Sequence, residues 1–139
     1  MEGLTFLDQL QLYYNADIVV SPHSASFINL IFSVPHTAIV ECYPKYFFEN
    51  WYSNTAMISR VHYIMVGYFD RNPKAKMYWK EAEDAYNQGT FLSISRKYVD
   101  NDVDPPQIQM LSAIEDAVEY AKRWRFMYEV NDKWSPIFI

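Results

Sequence analysis

The sequence predicts an α/β domain in which a parallel sheet carries flanking helices. Three observations predict it. Short apolar runs recur at "DIVVS", "TAIVECY" and "VHYIMV", and continuous β-branched stretches of this kind suit parallel strands covered on both faces. A segment with helical periodicity precedes each run, giving the order helix, strand, helix, strand, helix, strand. The 139 residues suit one domain, which at this size buries roughly two-thirds of its unfolded surface without cross-links. The core of that single domain, 1–139, is expected over about 5–70, with a C-terminal extension and helix over about 71–139.

The first helix is expected over about 6–14, where Phe6, Leu7, Leu10 and Tyr13 or Tyr14 share a face. Thr5 fits its N-cap and Asp8 follows three residues on, as in a capping box; Asn15 ends it. "DIVVS" is the first strand. "SASFINLIF" reads as a short helix, with Phe27, Leu30, Ile31 and Val34 at helical spacing and Pro35 as its stop. "TAIVECY" is the second strand. Residues 47–60, "FFENWYSNTAMISR", read as a helix and "VHYIMV" as the third strand.

Past Gly67 the pattern loosens. "FDRNPKAK" reads as a loop, and "MYWKEAEDAYNQ" as an amphipathic helix stopped by Gly89. "TFLSISRKYV" is compatible with a strand, and "DNDVDPP" is an acidic connector. The strongest helix runs from Pro106, placed in its first turn, to about Tyr128. Its expected apolar stripe is Ile108, Leu111, Ile114, Val118, Ala121 and Trp124 or Arg125. Glu115, Asp116 and Glu119 precede Lys122, Arg123 and Arg125, the order the helix dipole favours.

Composition excludes several functions. The net charge is −5 with no basic run, so nucleic acid is a poor partner. Cys42 is the sole cysteine, which rules out an internal disulfide and a multi-cysteine metal site. The histidines lack metal-ligand spacing, and no metal is expected. With three glycines in the chain, glycine-rich phosphate loops are ruled out. No segment is apolar over a membrane-spanning length, and "MEGLTFLDQL" has no signal-peptide pattern. Aromatic residues make up 18% of the chain; a large core, and a surface suited to a partner, both account for them.

The turn "SPHSAS" leaves the carboxyl end of a strand and enters a helix. Ligands of open α/β sheets bind at such ends, and a helix start offers free N–H groups and partial positive charge to an anion. His23 can add a hydrogen bond or a charge, and the Ser24 and Ser26 hydroxyls suit either a phosphate or a helix cap. Glu41, at the end of the next strand, lies on the same sheet edge and can accept ribose hydroxyls. A plain Ser N-cap and a strand-end acid fit the same residues. His36, after Pro35, is expected to be solvated.

"TFLDQLQLYYNADIVVSPHSASFINLIFSVPHTAIVECYP" resembles the C-terminal signature of glycosyltransferase family 61. The shared residues are Phe6, Gln9, Ala16-Asp17, Pro22-His23, Ala25, Asn29-Leu30, Phe32, Pro35, Glu41 and Pro44. "WYSNTAMISRVHYIMV" resembles the following segment, and "VDPPQIQMLSAIEDAV", less specifically, the closing helix. The chain departs from the pattern at Ser21, Ser24 and His36, each standing where the family has glycine. If the Ser24 position needs a positive φ, serine costs roughly 1 kcal/mol or more there.

The resemblance implies a Rossmann-like parallel sheet like the C-terminal half of a GT-B glycosyltransferase, an inverting enzyme using a nucleotide-sugar donor, commonly UDP-linked, with no metal on the phosphates. By position, the donor-binding residues are His23, Ser24, Ala25, Ser26 and Glu41; the catalytic residue is not assigned. The acceptor domain and the usual base lie upstream in that architecture, so this chain is expected to be a donor-binding half, a fragment or truncated form that is inactive alone. Its partners would be a nucleotide sugar and the missing acceptor domain or a partner chain, met on an exposed apolar face. The alternative is a degenerate, non-catalytic relative acting as a partner-binding module. An endoplasmic reticulum or Golgi lumen location would follow for part of a longer eukaryotic member, and a cytoplasmic one otherwise.

Overall fold

Among the described residues three strands form a parallel sheet in the order β1 (Ile18–Pro22), β2 (Ala38–Cys42) and β3 (His62–Val66). Ile18, Ala38 and His62 lie abreast at one end, and Pro22, Cys42 and Val66 at the other. The computed structural model describes residues 3–45, 47, 49–67, 80, 84, 87–89 and 103–130. Among these, β1 and β3 are the sheet edges, and Pro22, which has no N–H to give to a ladder, sits on the edge strand as it must. All five residues of β2 are buried, Glu41 included.

Around the sheet lie α1 (Phe6–Asn15), a 3-10 helix (Ala25–Phe32), α2 (Trp51–Ile58) and α3 (Gln107–Val130). Side chains alternate across β2. Ala38, Val40 and Cys42 pack with Val66 against Ala113 and Ala117 of α3. Ile39 points to the opposite face, into a cluster of Tyr13, Phe27, Leu30 and Ala56 from α1, the 3-10 helix and α2. The result is an α/β fold with helices on both faces, compatible with a Rossmann-like domain. Among the described residues no helix is long and apolar enough to cross a membrane.

Several elements follow their sequence signals closely. The Thr5 hydroxyl accepts from the Asp8 N–H at 3.2 Å, and the Asp8 carboxylate accepts from the Thr5 N–H at 3.0 Å, completing the capping box. Lys80, Asp84 and Asn87 are helical, and Gly89 takes a left-handed φ of 71° behind them, as the helix stop requires. The remainder of the helix expected over 77–88, the loop expected over 69–76, the strand expected over 90–99 and residues 100–102 lie outside the described residues.

Other expectations need correction. "SASFINLIF" forms a 3-10 helix rather than an α-helix. Its three-residue period puts Phe27, Leu30 and Ser33 on the buried side and leaves Ile31 and Val34 exposed. The second α-helix is shorter than 47–60, because Phe47 is used as a buried side chain ahead of it. It ends in a Schellman arrangement: the Val61 N–H reaches the Ala56 carbonyl, the Arg60 N–H reaches that of Met57, and Arg60 has φ 56°. On α1 only Tyr13 is fully buried, while Phe6, Leu7 and Tyr14 are exposed.

The stripe of α3 is rotated from the expected one. Ile108 and Leu111 face out, and Met110, Ala113, Ala117 and Tyr120 face the sheet. Alanines allow the helix backbone close to β2, so small residues rather than large ones mark this packed face. Pro106 precedes the helix as its cap position, its carbonyl accepting from the N–H groups of Gln109 and Met110.

Candidate functional site

The site lies where β1 and β2 end. Beyond Pro22 and Cys42 the ladder continues for one more bond, His23 N–H to the Cys42 carbonyl at 2.8 Å, and the Tyr43 N–H bonds the Val66 carbonyl at 2.8 Å. These bonds bring His23 alongside Tyr43, and their rings stack with centroids 5.1 Å apart. Phe47 and Tyr52 close on the same imidazole at 4.8 and 5.4 Å. The His23 side chain is only 12% exposed.

At the centre is a carboxylate with no access to water. Glu41 is 0% exposed. Its Oε1 stands 2.5 Å from His23 Nδ1. The Tyr63 hydroxyl donates to Oε2 in a short hydrogen bond, and the Tyr43 hydroxyl lies 3.2 Å from the same oxygen. Tyr43 has one proton to give, and the Glu49 carbonyl at 2.6 Å takes the larger share of it. Burial, then the hydrogen bonds to Glu41 and Tyr43, push the Tyr63 hydroxyl far above its ordinary range. Burial also dominates a rise at Tyr43, opposed by its bond to Tyr63. Both phenols therefore remain protonated and available as donors. An ion taken fully out of water costs several kcal/mol unless it is paired and hydrogen-bonded, and these groups supply that compensation.

The structure thus joins two of the sequence-predicted residues, His23 and Glu41, and arranges the others around the turn. Ser24 and Ser26 share a hydroxyl contact of 2.7 Å, and the Tyr13 hydroxyl donates to Ser26. Ser24 occupies the N-cap position without making a side-chain cap bond. Its φ of −161° is ordinary extended backbone, so serine carries no strain there. Ala25 is exposed at the start of the 3-10 helix. Glu41 turns its carboxylate inward and has both oxygens engaged within the protein.

Sequence reading missed Tyr43, Phe47, Tyr52 and Tyr63. A signal for one of them was present. Tyr43 follows Glu41 by two residues, which places both on one face of the chain, and a glutamate inside a strand covered on both sides demands nearby donors.

The structure also places His36 differently from expectation. It is half-buried rather than solvated, stacked on Trp124 at 3.6 Å, with its Nδ1 3.0 Å from the Tyr120 hydroxyl. Its φ is 73°, a left-handed backbone, unlike the extended one of Ser24. Burial, and secondarily Arg60, lower its pKa. His62 stacks on Tyr120 at 4.1 Å and reaches Asp116 at 3.2 Å. Both histidines lie at the amino ends of the strands, away from the Glu41 pair. Among the described residues no group of three or more His, Cys, Asp or Glu side chains could hold a metal ion.

Compared with known proteins, the chain matches no family model, no curated protein and no solved structure.

Proposed function

We propose that this chain is the nucleotide-sugar-binding half of an inverting glycosyltransferase, with a UDP-linked donor whose diphosphate lies at the turn after β1. The single observation that carries this reading is the His23–Glu41 pair at the carboxyl ends of two adjacent parallel strands. Ligands of open α/β sheets bind on that edge, and a buried ionisable pair there goes beyond what a plain turn needs. The resemblance to glycosyltransferase family 61 runs through the same residues and supplies the ligand class. Ser24, Ala25 and Ser26 follow His23 in that turn, and small side chains there suit close approach of phosphate oxygens to the backbone. Transfer would need an acceptor-binding domain across the cleft, because positioned groups from both sides create the transition state; the chain alone is inactive in this account.

The test is calorimetric titration with UDP, using uridine as the control that lacks phosphates. Saturable binding of UDP and not of uridine is expected. Equal behaviour of the two would remove the diphosphate from the proposal.

A second reading is favoured by a specific observation. His23 is largely covered by aromatic rings, and large apolar side chains such as Phe6, Leu7, Ile28 and Ile31 are exposed. These features suit a partner-binding module that retains the fold without the ligand. Absence of UDP binding in the folded chain, together with self-association or binding of an apolar dye, would favour it.

A further inference from the structure

The two ring nitrogens of His23 have different surroundings. Nδ1 faces Glu41 Oε1 at 2.5 Å, inside the protein. An ionised carboxylate only accepts hydrogen bonds, so it fixes a proton on Nδ1, as carboxylates do behind working imidazoles elsewhere. The carboxylate is itself fixed by the Tyr63 hydroxyl on its other oxygen. Rings of Tyr43, Phe47 and Tyr52 pack around the imidazole and restrict its rotation. The bonding directions of the two nitrogens diverge across the ring, so turning Nδ1 toward Glu41 turns Nε2 away from it.

We propose that Glu41 is a positioning residue. It holds His23 with Nδ1 protonated, makes Nε2 the atom that meets a diphosphate oxygen, and supplies the counter-charge that lets the ring carry a second proton there. This deepens the donor-binding reading and rests on it for the ligand. It also gives Glu41 a different task from accepting ribose hydroxyls, since both of its oxygens are already engaged inside the protein. Tyr63 takes the next place in the chain of support, holding Glu41 as Glu41 holds His23.

Long-range proton–nitrogen NMR of the full chain, with 15N-labelled histidine, tests the proposal directly. In the free protein the His23 ring is expected with a proton on Nδ1; a ring protonated on Nε2 alone would overturn the proposal. With saturating UDP both nitrogens are expected to be protonated, and a ring that remains singly protonated in the complex would overturn the charge role. Glu41→Gln should weaken UDP binding about tenfold or more, the loss expected for a hydrogen bond to a charged group, while circular dichroism stays native. Unchanged affinity in that variant would again overturn it. Tyr63→Phe gives a second, milder variant should Glu41→Gln fail to fold, and a smaller loss in the same direction is expected. If UDP does not bind the wild-type chain, the donor reading falls, and the ring spectrum of the free protein still decides whether Glu41 sets Nδ1.

Discussion

Removing the His23 ring would expose the energy of the buried pair. Glu41 is 0% exposed and its Oε1 faces His23 Nδ1 at 2.5 Å, while Oε2 keeps the Tyr63 hydroxyl. His23→Leu fills the space with apolar atoms but withdraws the donor from Oε1. Breaking a buried pair by removing one partner costs about 3–5 kcal/mol, because an uncompensated charge is left behind. For a chain of this size that lowers Tm by roughly 10–20 °C. Urea unfolding at neutral pH, followed by circular dichroism, should show a lower midpoint with an unchanged slope. Adding Glu41→Gln to His23→Leu removes the stranded charge and leaves an amide oxygen for Tyr63. The double variant should therefore regain at least about 1.5 kcal/mol over the single one. A single variant that loses less than about 1 kcal/mol, or a double variant no more stable than the single, would show that the carboxylate does not depend on the ring.

Other consequences are independent of the site. The Ser33 hydroxyl is buried without a hydrogen-bond partner, so Ser33→Ala should raise stability by roughly 1 kcal/mol in the same urea assay. Arg60 holds the left-handed position of a helix stop at φ 56°, and Arg60→Gly should stabilise by about 0.5 kcal/mol, strain relief outweighing the loss of a cation near the helix end. His36 is held below its ordinary value of 6.5 mainly by burial. A histidine whose folded pKa is depressed contributes stability that is present above its unfolded pKa and lost as pH falls through the folded one. The stability advantage of wild type over His36→Asn, which also tolerates a left-handed φ, should therefore be larger at about pH 7.5 than at about pH 5. An advantage that does not change with pH would mean the imidazole packs equally well when charged.

The sheet was legible because its strands are continuous apolar runs that only a doubly covered parallel sheet can bury. Helix placement was legible where capping chemistry marks it, as at Thr5 and Gly89. Helix faces were less so. The sheet-facing side of α3 is built on Ala113 and Ala117, and alanine carries too little hydrophobic signal to compete with Ile108 or Leu111 in a periodicity reading. In the sequence Phe27 and Leu30, three apart, suit an α-helix and a 3-10 helix alike; the exposure of Ile31 and the burial of Ser33 decide for the 3-10 form. His23 and Glu41 could be placed on one sheet edge from the strand order. Their direct contact could not, since it depends on Glu41 pointing inward, where the Tyr43 and Tyr63 hydroxyls meet its carboxylate. Those residues approach Glu41 through turns and a neighbouring strand whose register no local pattern specifies.

The measurement that bears most directly on the proposed function is the affinity of the folded chain for UDP, compared with that of the ring-free His23→Leu/Glu41→Gln variant. Saturable binding by wild type is expected, with a loss of about tenfold or more in the variant, which lacks the ring that meets the diphosphate. Equal affinity in the two proteins, or no binding by wild type, would contradict a diphosphate site at the His23 turn.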